Sequence, residues 1–395
     1  MKLTTKTATV LAIMALSTTL AQAQKAAPPQ GVSATEITLG SIQDLSGPIA
    51  GFGKQSRLGM LLAVDEINEQ GGINGRKLKI IVEDSAYDPK KAVLAAQKLV
   101  NQDKIFMMVG HIGTAHNLAA MPVQFEKNVI NFFPITAARE MYEPFHKLKY
   151  SYAATYYDQM RNAVPKLVKD KGAKKVCTMY QDDDFGTEVL KGGEAGLKTV
   201  NMEFAEKTSY KRGATDFSSQ VQKMQAGGCD MIVLGTLIRE TIGAIGTARK
   251  LGYNPIFLGS SGAYTDLIHK LGGPAMNGLY ATNTVQNPYT DDQSKDIAFW
   301  ANKYKTKFNE DPTVFSVYGY TIIDNFAKAA GKAGKNLTTE SFIKVMDNIT
   351  FASDIFGGPA QTFTATKRLG NDASRLSQIT DGKWKPVSGY FTSKP

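Results

Sequence analysis

Strand-like and helix-like periods alternate along this chain, and the alternation runs to an end and then begins again. The first run opens at Glu36 to Gln43 (EITLGSIQ), an alternating stretch followed by the turn-forming Ser46-Gly47-Pro48. Leu58, Leu61, Leu62 and Ile67 lie at helical spacing within Arg57 to Asn68, and Gly71-Gly72 stops that helix. Asn74-Gly75 then turns the chain into a strand over Lys77 to Glu83. Asp88-Pro89 starts a second helix, reaching Asn101, with proline at the first helical position. A buried strand over Ile105 to Gly110, a helix over Ala115 to Lys127 and a strand over Val129 to Phe133 complete the run. This β-α-β-α-β-α-β order implies a parallel sheet with helices on both faces.

The second run predicts helices over Asp158 to Asp170, Phe185 to Leu197, Asp216 to Ala226 and Glu240 to Leu251. Its strands are Lys175 to Tyr180, Met202 to Thr208, Met231 to Leu234 and Ile256 to Leu258. The fold class is therefore α/β, with two doubly wound, Rossmann-like lobes. A hydrophobic fraction of 43% over 395 residues supports two cores, since single cores stop growing near about 250–300 residues. Beyond Gly278 come one strand, three helical segments (Asp292 to Phe308, Ser316 to Lys332, Thr338 to Asn348) and a short β-rich tail. That is too little sheet for a third domain, so the tail must be shared and the chain must cross between lobes more than once.

Met1 to Ala23 reads as a secretory signal. Lys2 and Lys6 supply the positive start, Ala8 to Leu20 the apolar stretch, and Ala21-Gln22-Ala23 the small-x-small cleavage site. No downstream run is long enough to span a membrane, and no cysteine near the cleavage site offers a lipid anchor. A soluble periplasmic protein is expected. The net charge of +10 falls to +8 without Lys2 and Lys6, but the basic residues are dispersed, so nucleic acid is not an expected partner. Cys177 and Cys229 are the only cysteines. In an oxidising compartment they either bridge or remain two thiols, and no ligand-spaced Cys or His cluster suggests a metal.

Enzyme signatures fail one by one. Gly259-Ser260-Ser261-Gly262-Ala263 approximates G-x-S-x-G, but its fifth residue is alanine and Ser261 has no assignable acid or histidine. It reads as a turn after a buried strand. Gly51-Phe52-Gly53 lacks the third glycine of a dinucleotide loop, because position 56 is serine, and Glu83-Asp84 are wrongly spaced as its ribose acid. His111 and His116 are five apart with no intervening Glu, and His111 reads as a satisfied structural histidine. Asp182-Asp183-Asp184 lacks an EF-hand pattern, and Asp184 reads as the cap of the helix that begins at Phe185.

The loops at the carboxyl ends of the parallel strands remain, where open α/β sheets place their ligands. In the first lobe these are Asp44 to Gly53, Ser85 to Asp88, His111 to Ala115 and Pro134 to Ala138. In the second they are Gln181 to Gly186, Thr236 to Glu240 and Ser260 to Tyr264. They are rich in hydroxyls and aromatics and poor in charge. Two such edges facing each other would bury a small molecule with an apolar body and one or two polar ends.

Leu45-Ser46-Gly47-Pro48, Asp65-Glu66-Ile67-Asn68, Gly71-Gly72-Ile73-Asn74-Gly75-Arg76-Lys77-Leu78, Asp88-Pro89-Lys90-Lys91-Ala92, Val109-Gly110-His111 and Asp183-Asp184-Phe185-Gly186 resemble the leucine/isoleucine/valine-binding protein family. The resemblance covers essentially the whole exported chain. It implies a type I periplasmic binding protein fold with three hinge crossings, residues 24–152 plus about 284–361 forming lobe one and 153–283 plus about 362–395 lobe two. By position it implies that Thr114, beside Gly113, meets a ligand carboxylate with nearby backbone N–H groups. Ile135, Thr136 and Ala137 would meet the other side of the α-carbon, and Phe52 and Phe185 would cover the side chain. Ordinary core is the alternative for both phenylalanines.

The departures bear on the ligand. Ser261 stands where the resemblance implies an acid for the ligand ammonium, Ala137 replaces a hydroxyl next to Thr136, and Leu237 stands near an implied tyrosine. Tyr87 and Gly113 occupy the positions of an implied first-lobe disulfide. An ammonium without an anion is costly to desolvate, which favours hydrophobic or aromatic acids lacking an amino group, whereas the overall resemblance favours amino acids. Glu240 is the anion nearest at hand. Arg239 could attract a second carboxylate or simply be a solvated residue at a helix start. The expected protein is the monomeric solute-binding component of an ABC importer, without cofactor or metal, serving an inner-membrane ABC permease. A ligand sensor docking on a receptor is the alternative, and a secreted enzyme a distant one.

Overall fold

A computed structural model describes residues 29–392, and the expected export signal lies outside them. β1 (Glu36–Gln43), β2 (Lys77–Asp84), β3 (Met107–Val109), β4 (Ile130–Phe132) and β5 (Lys149–Tyr150) form one sheet in the order β2-β1-β3-β4-β5. Every pairing in it is parallel. α1 (Ala50–Glu69), α2 (Pro89–Gln97) and α3 (Thr114–Glu126) carry the chain back between strands. β3 and β4 are buried at every residue, as strands covered on both faces must be. α2 begins as expected, with the Asp88 carboxylate accepting from the N–H groups of Lys90 and Lys91 and Pro89 in the first turn.

The second lobe holds α4 (Tyr156–Lys171), α5 (Asp184–Lys198), α6 (Ser218–Ala226), α7 (Ile238–Lys250) and α8 (Asp266–Gly272). Its parallel strands are β6 (Val176–Gln181), β7 (Glu206–Tyr210), β8 (Met231–Gly235), β9 (Ile256–Gly259) and β10 (Tyr280–Asn283), ordered β7-β6-β8-β9-β10. β7 begins later than the expected Met202, because the Met202 N–H bonds back to the Leu197 carbonyl in the turn that closes α5. The cap of α5 is Asp183, not Asp184: the extended Asp183 accepts from the N–H groups of Phe185 and Gly186, and Asp184 is already helical.

After β10 the chain returns to the first lobe with α9 (Lys295–Phe308), α10 (Val314–Ala333), α11 (Thr339–Met346), and the hairpin of β11 (Asn348–Phe351) and β12 (Gln361–Thr364). α10 lies directly on α1, and the two backbones touch at glycines. A Cβ on Gly59 would stand 2.0 Å from the Ser316 carbonyl oxygen, and one on Gly319 would stand 2.0 Å from that of Ser56. Phe363 of β12 packs on Phe133 and Tyr150 of the first lobe. The third crossing follows β12. It leads into β13 (Arg375–Thr380), antiparallel to β10, and β14 (Lys383–Pro386), antiparallel to β13, which extend the second sheet. The first and third crossings are bonded to each other, Ser151 N–H to the Arg368 carbonyl and Gly370 N–H to that of Ser151.

Two covalent or ionic ties stand out. Cys177 in β6 and Cys229, just before the neighbouring β8, form a disulfide with Cα atoms 5.9 Å apart, which settles the alternatives left by the sequence. Between the lobes, Arg139 donates to Glu188 of α5 from Nη2 at 2.6 Å and from Nε at 2.9 Å. The Glu188 side chain is only 2% exposed.

Thiol titration of the denatured, unreduced protein should find no free thiol. Replacing both cysteines with alanine should lower the unfolding free energy by about 2–4 kcal/mol, measured by urea titration. Arg139→Met, which strands a buried carboxylate, should cost about 2–5 kcal/mol in the same assay. Lys166→Met, which opens the exposed Lys166–Asp170 pair, should cost no more than about 1 kcal/mol.

Candidate functional site

The carboxyl-end loops of the two sheets face each other across a cleft. Between them lies a cavity with about 590 Å³ of atom-free space, its mouth included. Each of the seven loops contributes to its wall. The first lobe brings Ile49 and Phe52, then Tyr87, then Ile112 to Thr114, then Ile135 to Ala137; the second brings Phe185, Leu237, and Ser261 with Gly262. The β1–α1 loop is held by Asp44, whose carboxylate accepts from the N–H groups of Ser46, Gly47 and Ile49. This fixes Ile49 and Phe52 at the cavity.

One end of the cavity holds an uncapped helix N-terminus. α3 begins there at Thr114, no side chain caps it, and its first backbone bond runs from the Asn117 N–H to the Gly113 carbonyl. The N–H groups of its first turn are left for an occupant, at the positive end of the helix dipole. Thr114 and Thr136 are both buried, and their Oγ1 atoms are 2.6 Å apart. One hydroxyl proton lies between them and the other is left to donate.

The walls are aromatic and aliphatic. Phe52 stacks on Phe315 of α10 with centroids 3.7 Å apart, and Phe185 meets Tyr156 edge-on at 5.0 Å. Both phenylalanines are thus buried and cavity-lining at once. Burial raises the pKa values of Tyr152, Tyr156 and Tyr318, so these phenols stay neutral. No charged side chain lines this cavity among the described residues.

The lining thus brings together Thr114, Gly113, Ile135, Thr136, Ala137, Phe52, Phe185 and Ser261. Arg239 is not among them. It lies two positions beyond Leu237, in the first turn of α7, and lines a separate surface depression with Gly47, Pro48 and Leu267. Its guanidinium is 3.6 Å from Glu240, whose side chain is 5% exposed and turned away from the cavity lining. Burial raises the Glu240 pKa, and the N–H groups at the start of α7 together with Arg239 oppose that rise.

His111 is fully buried, but it is not the satisfied histidine expected, since neither ring nitrogen has a hydrogen-bond partner. Desolvation depresses its pKa and takes that of His116, stacked 4.4 Å from Tyr87, to about 4. Both rings are neutral at pH 7.

The strand-end rule missed Tyr152, Ala153, Tyr156, Thr284, Phe315 and Tyr318, which line the cavity from two crossings, from the start of α4 and from α10. The aromatic run Tyr150 to Tyr157, placed where the first lobe ends, was the available signal. Gln159 was missed as well. It is fully buried on α4 and bonded to both the N–H and the hydroxyl of Ser261.

Comparison with known proteins agrees with this architecture. The chain is 28% identical to the Leucine-, isoleucine-, valine-, threonine-, and alanine-binding protein of Pseudomonas aeruginosa, over 77% of this chain and 80% of that protein. A fatty acid ABC transporter substrate-binding protein from Thermomonospora curvata superposes with a TM-score of 0.84 at 24% identity, covering 93% of this chain and 95% of that one. A branched chain amino acid ABC transporter structure from Thermus thermophilus, with bound valine, superposes at 0.82 with 16% identity, covering 92% and 98%. The profile of the family described as Periplasmic binding protein matches residues 36–383. With that match across both lobes, the chain belongs to the periplasmic binding protein family.

Proposed function

We propose that this protein is the periplasmic solute-binding component of an ABC importer. It captures a small carboxylate with an apolar body between its lobes and presents the closed form, as a monomer, to an inner-membrane permease. The observation that carries this reading is a cavity walled by both lobes, with an uncapped helix N-terminus and a threonine pair at one end and apolar rings around the rest. The carboxylate accepts from Thr114 and from the first-turn N–H groups of α3, and the ligand body lies among Phe52, Phe185 and Phe315. The relatives' names support the same chemistry, because valine and a fatty acid share a carboxylate and an apolar body. They differ in the ammonium group, so the likeness leaves both a branched-chain-type amino acid and an amino-free acid within the reading. A ligand touching both lobes stabilises the closed state over the open one, and this differential contact drives closure.

A thermal-shift screen over amino acids, aromatic acids and short keto and dicarboxylic acids is the test. A true ligand at a hundredfold excess over its Kd adds about 2.7 kcal/mol of stability. Thr114→Ala should then weaken binding of the ligand found by roughly ten- to a hundredfold, since a hydrogen bond to a charged group is typically worth about 1.5–3 kcal/mol. Unchanged affinity by calorimetry would place the carboxylate elsewhere.

A further inference from the structure

We propose that Gln159 sets the Ser261 hydroxyl as a hydrogen-bond donor into the cavity, so that the site selects acids with an oxygen acceptor and no amino group over α-amino acids. The inference rests on the carboxylate reading given above and concerns the other polar end of the same ligand.

The orientation of the Gln159 amide is over-determined. Its Oε1 accepts from the Ser261 N–H at 2.9 Å, and a backbone N–H can only donate. Its Nε2 donates to the Ala154 carbonyl at 2.7 Å, and a carbonyl can only accept. Either contact alone would fix which end is nitrogen, and they agree. Thr282 adds its hydroxyl to Oε1 at 2.8 Å. The second Nε2 proton is therefore directed at Ser261 Oγ, 3.0 Å away. Ser261 Oγ is thus an acceptor towards Gln159, and its own proton remains for the cavity that the residue lines.

The other second-lobe hydroxyl at the cavity, Tyr156, accepts from the Ala137 N–H and meets Thr136. Ser261 is the second-lobe hydroxyl whose donor role is fixed by its neighbour, Gln159. A carbonyl or ether oxygen there accepts its proton directly. An ammonium finds at most one free lone pair on Oγ, leaves the hydroxyl proton without an acceptor, and meets no carboxylate in the lining to balance its charge. The threonine pair of the first lobe likewise has a proton to give. Both polar ends are donors, and an ammonium is a third donor set among them.

The test is calorimetry on the full exported chain with three matched pairs: leucine, valine and phenylalanine against their 2-oxo acids. The wild type should bind the 2-oxo acid of at least one pair roughly ten- to a hundredfold more tightly than its amino acid. Ser261→Ala should collapse that ratio by weakening the 2-oxo acid about tenfold while leaving the amino acid nearly unchanged. Gln159→Glu replaces the donating Nε2 with an accepting oxygen, turns the Ser261 proton inward and should shift the ratio towards the amino acid. A purely structural loss would weaken both members of a pair alike, so the ratio is diagnostic. Tighter binding of the amino acids by the wild type, or a ratio unmoved by Ser261→Ala, would overturn the donor end and leave the carboxylate site standing. Binding of neither member of any pair would overturn this inference, while the carboxylate reading stands or falls separately by the thermal-shift screen over the wider set of acids.

Discussion

A parallel strand can be followed by another only if the chain is carried back along its whole length, and here helices do the carrying. That constraint lines up the carboxyl ends of β1 to β4 on one edge of the first sheet and those of β6, β8 and β9 on one edge of the second. The loops at those ends have no structural duty beyond reversing direction, so they can carry the polar and aromatic groups of a site. With the two edges facing, Tyr87 comes within 3.5 Å of Gln181 and Arg139 reaches Glu188 across the cleft. The cavity between the lobes follows from strand direction before any individual side chain is considered.

The same constraint explains what was legible in the sequence. Period-two runs and helical spacing mark the repeating units, and every strand-end loop located that way reaches the cavity wall. Features set by long-range packing were not legible. β5 has two residues and exists only because β4 and the bonded crossings flank it. α8 spans seven residues without a long apolar period. Tyr152, Thr284 and Tyr318 reach the cavity because of how the lobes meet, which no local pattern encodes. Arg239 shows the reverse failure: its loop was located correctly, but the helix turned its side chain outward. Gln159 looks from its spacing like one more polar residue on an exposed helix face, yet it is fully buried behind Ser261.

Charge is arranged around the site rather than in it. The chain is basic overall, with a formal charge of +10, but the arginines nearest the cleft are matched with acids. Arg212 pairs with Asp183 at 2.7 Å, Arg139 with Glu188, and Arg239 stands by Glu240. The lining itself consists of hydroxyls, backbone groups, aliphatic side chains and rings. Burying a charged partner opposite an anion would carry its own desolvation penalty, whereas fixed dipoles are already oriented and lose little on binding. An uncharged cavity with a helix N-terminus can therefore hold an anion without storing an unpaired cation in its empty state.

The crossings make the site and the hinge one structure. Tyr152 and Ala153 lie on the first crossing and Thr284 on the second, and all three face the cavity. Ser151, next to them, is bonded on both sides to the third crossing at Arg368 and Gly370. Opening the lobes must turn backbone angles in these segments, so it must also move the side chains that contact an occupant. A ligand placed as proposed, against Phe52 on one lobe and Ser261 on the other, would gain its contacts only at one setting of those angles. Binding and hinge angle are then coupled by direct contact, and no chain of intermediate residues is needed to carry the signal from site to hinge.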